Sequence, residues 1–180
     1  MEEYIDYMAL MVLACMDGDY EYGRWACEMR NQKIDLLIEY DGSCQYQKID
    51  FDELMLLSKI MHAEAGGALW IPDGWVMCVG EVVLNRVAST ESPDTIYDVI
   101  YQRNPVQYGS SIDSNFNNLL PNERCVQLAA RLLNGERYMD NPSVVFQAEF
   151  RQGSGTFLKF NDSKLGTTYF CMSSYQSLYE

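Results

Sequence analysis

The sequence predicts an α+β fold that is mainly helical, with a small β-hairpin or sheet region after the helices. Two segments, residues 50–65 and residues 75–88, carry continuous apolar faces at helical spacing. The end of the chain instead holds short β-like runs separated by glycine and polar residues. Helices that come first and strands that come later are typical of α+β domains.

The N-terminal part predicts two short helices and one strand. Residues 3–16 and 20–31 have helical character and are separated by an Asp-Gly-Asp break at residues 17–19. Residues 34–40 are rich in isoleucine and leucine and stop at the Asp-Gly-Ser turn signal of residues 41–43. That pattern favours a β-strand.

The middle of the chain predicts two buried helices. Asp50 or Asp52 can cap the first helix, and Gly66-Gly67 ends it. Its apolar stripe consists of Leu54, Leu57, Met61 and Ala65. The second helix places four valines on one face: Val79, Val82, Val83 and Val87.

The remaining elements follow from turn and cap signals. Residues 93–95 open a short helix that runs through Tyr101, and residues 121–123 start another that ends at 134–135. Between them, residues 104–120 predict a long loop, and long loops in compact domains tend to be functional. The β-like runs are residues 144–148, 156–160 and 168–171.

Composition and charge exclude several classes of partner. A chain with 48% hydrophobic and 22% charged residues is an ordinary globular protein. Its net charge of −13 leaves no basic patch for phosphates, so nucleic acid is a poor partner. The acidic N-terminus lacks the positive start of a secretory signal, and the apolar run 8–16 is too short to span a bilayer. We expect synthesis in the cytoplasm without a signal peptide, and no membrane span.

Six cysteines and one histidine predict no metal site and no cofactor. The cysteines form no Cys-x-x-Cys pair, and a zinc protease needs two histidines. His62-x-Glu64 also occurs in zinc deaminases, but their Pro-Cys-x-x-Cys stretch is absent. We interpret His62 as a structural or site-edge residue. A cysteine nucleophile paired with His62 is formally possible, although no single cysteine stands out.

Glu64 is the candidate catalytic residue. It lies one turn beyond Met61 in the last turn of its helix, so we expect its carboxyl to point toward packed side chains. Burial and the negative end of the helix dipole would both raise the pKa of such a carboxyl. A carboxylic acid that stays protonated can donate to a leaving glycosidic oxygen. The alternative is a carboxylate that is solvated or paired with an arginine.

Two other polar residues of the second helix have weaker claims. Asn85 is a candidate for orienting a sugar or a water molecule, with capping or bridging of the core as an equal alternative. Glu81 is a second acid four residues earlier. We interpret Glu81 as a carboxylate on the helix surface.

The combined pattern resembles the cell-wall hydrolase family that includes the spore-cortex-lytic enzymes. The central motifs are Met61-His62-Ala63-Glu64-Ala65-Gly66-Gly67 and Val82-Val83-Leu84-Asn85-Arg86-Val87. Order and spacing fit across about residues 50–172. The matching stretches are residues 58–67, 79–87, 93–102, 106–108, 121–123, 133–135 and 166–170.

The resemblance implies a lysozyme-like catalytic domain over residues 49–180 and a single catalytic glutamate, which falls on Glu64. It implies cleavage of peptidoglycan glycan strands between N-acetylmuramic acid and N-acetylglucosamine, as a lytic transglycosylase that acts on the cell wall. Residues 1–48 match no named pattern, and we interpret them as a small helical extension that packs on this domain or binds a protein partner. Cleft-lining, substrate-binding positions of the family fall on Asn85, Gln107, Tyr108, Phe146, Gln147 and Tyr169.

Three parts of the chain depart from the family pattern, and one of them is residues 104–120, where the match is loose. Ala68 stands where members often have a second glutamate, and Gly166-Thr167-Thr168 stands where they often have Gly-Asn-His. The last two of these departures motivate an alternative function: a non-catalytic member that binds glycan or has a structural role in a phage or secretion assembly.

Overall fold

The structure, a computed structural model, describes residues 6–179 and has the expected mainly helical α+β fold. Residues 3–5 of the first predicted helix lie outside this range. The helices are α1 (Tyr7–Asp17), α2 (Tyr20–Asp41), α3 (Phe51–Met61), α4 (Asp73–Val87), α5 (Ile96–Ile100) and α6 (Glu123–Leu133). The strands are β1 (Val144–Ala148), β2 (Gly155–Asp162) and β3 (Gly166–Met172).

Helices α1 and α2 form a hairpin whose break is the predicted one. The Asp6 and Asp19 side chains cap their N-termini by accepting hydrogen bonds from backbone N–H groups. Gly18 ends α1 with a φ of 72°, a left-handed conformation that glycine adopts without strain. The Asp-Gly-Asp sequence therefore supplies a stop and a start in three residues.

The predicted strand at residues 34–40 is wrong, because α2 continues through it to Asp41. The helix ends where the strand was expected to end: Gly42 has a φ of 76° and donates its N–H to the carbonyl of Ile38. Ile34 is buried, but residues 35–41 are all exposed. Their apolar side chains suggested a half-buried strand, yet no neighbouring strand pairs with them among the described residues.

Helices α3, α4 and α6 form the centre of the core. Asp50 caps α3 as predicted, and its predicted stripe of Leu54, Leu57, Met61 and Ala65 is buried. Gly80 of α4 lets two helices approach closely, since a Cβ there would lie 2.4 Å from the Leu132 side chain of α6. The predicted start of α6 is also confirmed, with Asn122 as its cap.

The three strands form one antiparallel sheet in the order β1-β3-β2, where the sequence predicted its β-like runs. The sheet packs on α4 through aromatic rings. Phe160 stacks on Trp75 with ring centroids 5.3 Å apart, and Phe170 meets Phe160 edge to face. β1 lies beside the C-terminal half of α4, where Nδ2 of Asn85 donates to the carbonyl of Val144.

Residues of α1 and α2 belong to the same hydrophobic core as the rest of the chain. Met11, Cys15 and Ala26 are fully buried in one cluster with residues of α3, α4 and α6. The division of the chain at residue 48 stays a prediction. No helix between residues 6 and 179 combines the length and apolar character needed to cross a lipid bilayer.

Candidate active site

Glu64 lies on a short π-helical turn, His62–Gly66, that continues α3. Such turns are rare and often occur at functional sites. Because a π-helical turn is wider than an α-helical one, it rotates Glu64 away from the face that Met61 presents to the core. The side chain of Glu64 is consequently exposed. The expectation that it points toward packed side chains is wrong.

Asn122, the cap of α6, fixes this turn at both ends. Its backbone N–H donates to Nδ1 of His62 at 3.0 Å, and its Nδ2 donates to the carbonyl of Gly66 at 2.8 Å. A Cβ on Gly66 would lie 2.1 Å from Sγ of Cys125, so the turn sits directly on α6. His62 thus has the structural role expected of it, and burial lowers its pKa.

Two neutral side chains hold the two oxygens of the Glu64 carboxyl. The hydroxyl of Ser110 donates to Oε1 at 2.5 Å, and Nε2 of Gln147 donates to Oε2 at 3.2 Å. Ser110 comes from the long loop after α5, and Gln147 comes from β1. The site is therefore assembled from three segments that are distant in sequence. Of its three residues, sequence reasoning had identified Glu64 and Gln147.

Three basic side chains fix the long loop, residues 104–120: two come from α3 and α4, and the third directly precedes the loop. Lys59 donates to the carbonyl of Asn117 at 2.9 Å, and Arg103 donates to Oγ of Ser111 at 3.0 Å. Arg86 donates through Nη1 to Oε1 of Gln107 at 2.5 Å. These contacts place Ser110 beside Glu64.

A cavity of about 270 Å³ lies between this loop, α4 and β1. It brings together four of the predicted substrate-binding residues: Gln107, Tyr108, Phe146 and Gln147. Arg86 and Gln152 also line it, and neither was predicted as a site residue. Gln147 joins the cavity to the carboxyl of Glu64 through the hydrogen bond described above.

The pKa of the Tyr108 hydroxyl depends on both Arg86 and Glu64. Burial raises the pKa of its hydroxyl, the Arg86 charge lowers that pKa, and the charge of Glu64 raises it further. Arg86 and the hydroxyl are close enough to shift each other's pKa, although neither Nε of Arg86 nor the hydroxyl oxygen has a geometrically aligned hydrogen-bond partner. Tyr108 is thus a neutral phenol between a buried cation and the candidate acid.

Asn85 and Tyr169 do not line this cavity. Nδ2 of Asn85 donates to the carbonyls of Asn141 and Val144, both at 3.0 Å, so its contacts are those of the bridging alternative. Tyr169 is half-buried on β3, with the guanidinium carbon of Arg151 6.0 Å from its ring centroid. Their roles in substrate binding stay predictions.

Glu81 is fully buried, and its interpretation as a surface carboxylate is wrong. Its carboxylate accepts hydrogen bonds from the backbone N–H groups of Tyr138 and Met139. Burial raises its pKa, and these backbone donors lower it in part. These backbone N–H groups supply the hydrogen bonds that the buried carboxylate needs, which explains how Glu81 can occupy the inner face of α4.

The cysteines have the properties of buried structural thiols. All six are free, and five of them are buried. Burial raises the pKa of Cys15 and Cys125 to about 12 and that of Cys27 to about 11, and a protonated thiol is a poor nucleophile. Within residues 6–179, no cluster of three or more His, Cys, Asp or Glu side chains is placed to hold a metal ion.

Sequence reasoning missed Arg86 and Ser110. Arg86 follows Asn85 in a stretch that carried the resemblance, and a charged residue next to the apolar run Val82-Val83-Leu84 was the available signal. Ser110 had no local signal, since it is one of several polar residues in a long loop. Ala68, one of the departures from the family pattern, is a partly buried residue packed against the core.

Comparison with known proteins gives one match. A family model described as Cell Wall Hydrolase matches residues 73–172, which is more than half of the chain. The matched region contains every residue of the cavity lining and begins after Glu64. No curated protein and no solved structure matches.

Proposed function

Because this chain belongs to the cell wall hydrolase family, we propose that it cleaves peptidoglycan glycan strands as a lytic transglycosylase, with Glu64 as its catalytic residue. The family makes peptidoglycan the substrate and the cell wall the place of action. The observation that carries the finer proposal is the position of Glu64: an accessible carboxyl, held at both oxygens, next to a cavity within the matched region.

The reaction needs one residue that acts first as an acid and then as a base. Glu64 donates a proton to the glycosidic oxygen as the bond from that oxygen to C1 of N-acetylmuramic acid breaks. The 6-hydroxyl of the same sugar then attacks C1 and gives its proton to Glu64. The product is a 1,6-anhydro sugar, no water is consumed, and Glu64 returns to its starting state.

The direct partners of Glu64 favour this route over two-carboxylate hydrolysis, since neither group that hydrogen-bonds its carboxyl is an acid. Glycosidases that use water need a second carboxylate beside the scissile bond. The groups that hydrogen-bond Glu64 within residues 6–179 are a hydroxyl and an amide. Glu81, the nearest alternative acid in the sequence argument, is buried and bound to the backbone of Tyr138 and Met139.

The exposure of Glu64 fits a polymeric substrate. A glycan strand can reach an exposed carboxyl without a change in the fold. Once bound, the strand excludes water from the site and so isolates the proton transfer from solvent.

The test is release of muropeptides from purified cell walls by the wild type and by Glu64→Gln. We expect Glu64→Gln to lose at least about 100-fold in rate, since general acid catalysis contributes about 10²–10⁴-fold. Glu123→Gln is the matched control, because Glu123 is an exposed acid in the first turn of α6. Equal rates for wild type and Glu64→Gln would refute the assignment. Wall binding without release by the wild type would indicate a non-catalytic glycan-binding protein.

A further inference from the structure

The cavity beside Glu64 contains a buried positive charge without a counter-charge. Arg86 is 7% exposed, and none of the four ion pairs found within residues 6–179 includes it. Its contacts are the amide oxygen of Gln107 and the ring of Phe146, whose centroid is 5.7 Å from the guanidinium carbon. A buried charge is costly unless a partner compensates it, so this arrangement suits an anionic ligand.

Three buried polar atoms that line this one cavity have no hydrogen-bond partner in the described part of the chain. They are Nε of Arg86, Oη of Tyr108 and Oε1 of Gln147. Unsatisfied buried polar atoms are rare in folded proteins. Their convergence on a single cavity indicates that a ligand completes their hydrogen bonds.

The free edge of the Arg86 guanidinium has the shape that binds a carboxylate. Nη1 is occupied by Gln107. Nε and Nη2, the remaining edge, can donate two parallel hydrogen bonds to the two oxygens of a carboxylate. The hydroxyl of Tyr108 can donate a third, while Oε1 of Gln147 can only accept.

N-acetylmuramic acid presents this combination of groups. It differs from N-acetylglucosamine by a lactyl ether on O3, which ends in a carboxyl group. The neighbouring acetamido group on C2 carries an N–H donor that Oε1 of Gln147 could accept. In a strand that carries stem peptides, the lactyl carboxyl is an amide and the first free carboxylate belongs to the peptide.

We propose that the cavity lined by Arg86, Tyr108, Phe146 and Gln147 is a subsite for the carboxylate borne on the O3 substituent of N-acetylmuramic acid. The proposal rests on the proposed function, which makes muramic acid part of the substrate. Arg86 binds the carboxylate, and Gln147 connects the occupied subsite to Glu64. Recognition of this substituent distinguishes muramic acid from glucosamine and so determines which glycosidic bond reaches the acid.

The test measures binding of four soluble probes to the full-length protein by NMR titration. The probes are N-acetylmuramic acid, its methyl ester, N-acetylglucosamine and N-acetylmuramoyl-L-alanine. We expect the wild type to bind at least one of the two free acids about 10-fold or more tightly than the ester and N-acetylglucosamine, as charge-assisted bidentate pairs are strong. Tighter binding of N-acetylmuramic acid assigns the lactyl carboxylate, and tighter binding of the alanyl derivative assigns a carboxylate at the end of a one-residue peptide.

Variants of Arg86 complete the experiment. Arg86→Gln should lose the preference for the free acid, and Arg86→Lys should retain part of it through its charge. Arg131→Gln is the matched control. It removes the same charge from a surface residue that pairs with Glu136. Equal binding of acid and ester by the wild type, binding of no probe, or an unchanged preference in a folded Arg86→Gln variant would each overturn the subsite.

The two proposals can fail separately. Discrimination between acid and ester by a protein that releases no muropeptides keeps the subsite and removes the catalytic function. Release of muropeptides by a protein that does not discriminate removes the subsite and keeps the catalytic function. The comparison of acid with ester uses the wild type, so it does not depend on the folding of any variant.

Discussion

The neutral partners of Glu64 can follow it through both protonation states. A hydroxyl can donate to a carboxylate and accept from a carboxylic acid. Ser110 can therefore keep its contact with Glu64 before and after the proton moves. Gln147 offers an N–H donor, which suits the ionised form. The two side chains orient the carboxyl without adding a charge that would compete with substrate.

Replacement of Ser110 should affect kcat more than KM. We expect Ser110→Ala to lower kcat about 10- to 100-fold, because small misplacements of a catalytic group cost up to about 10²-fold. Ser110→Thr keeps the hydroxyl and should recover most of the activity. The measurement is the rate of muropeptide release as a function of substrate concentration. An unchanged kcat in Ser110→Ala would show that this contact does not position Glu64.

His62 should make the free energy of unfolding depend on pH, because the folded protein disfavours the protonated form of its imidazole. Burial lowers its pKa below the ordinary 6.5, and its Nδ1 must stay unprotonated to accept from Asn122. The stability that His62 contributes is complete above pH 6.5. It is lost as pH falls from 6.5 toward the lower folded pKa, since the unfolded chain takes up the proton first.

Unfolding of wild type and His62→Gln at a series of pH values checks this. The difference between the two proteins isolates His62, which is the one histidine of the chain. We expect the advantage of the wild type to shrink as pH decreases below 6.5. A difference that does not change with pH would contradict the account.

At the scale of elements, the ends of helices were predictable because their signals are local. Asp50 and Asn122 cap helices whose starts the sequence placed correctly, and Gly42 ends α2 where a stop was expected. The strand at residues 34–40 was wrong because isoleucine and leucine suit both structures. Only the packing of α2 and the lack of a pairing strand among the described residues decide between them.

The contact between α2 and α3 depends on a glycine. A Cβ on Gly23 would lie 2.0 Å from the ring of Phe51, which is itself 2% exposed. We expect Gly23→Ala to lower the free energy of unfolding by about 1–2 kcal/mol. Overpacking costs about 1–3 kcal/mol, and the better helix propensity of alanine offsets up to about 1 kcal/mol.

Gly109→Ala is the matched substitution for this denaturation experiment. A Cβ on Gly109 meets no atom within 4 Å. We expect its midpoint of chemical unfolding to stay close to that of the wild type. Equal midpoints for Gly23→Ala and the wild type would show that α2 does not pack on α3 as described.

For the whole molecule, the site depends on contacts between segments far apart in sequence. Ser110 is 46 residues from Glu64, and Gln147 is 83 residues from it. Periodicity and caps identify elements, but they do not say which loop closes over which turn. Glu64 was singled out by its helix position as well as by a resemblance, and Gln147 by the resemblance alone, whereas Ser110 and the role of Arg86 required the folded structure.

Helices α1 and α2 are part of the same core, so their removal should affect the whole fold. Deletion of residues 1–48 would expose Phe51, whose ring packs on Tyr20 and Gly23 of α2. We expect the shortened chain to lose cooperative thermal unfolding, measured by circular dichroism. A deletion variant that melts cooperatively near the wild-type temperature would show instead that residues 49–180 fold alone.

The central claim is that one glutamate cleaves the glycan strand without water as a reactant. The most direct measurement is digestion of purified cell walls by the wild type in water labelled with heavy oxygen, followed by mass spectrometry of the released muropeptides. A lytic transglycosylase gives anhydro ends that contain no label, and this is the expected result. Incorporation of one labelled oxygen at each new reducing end would identify a hydrolase and contradict the mechanism proposed for Glu64.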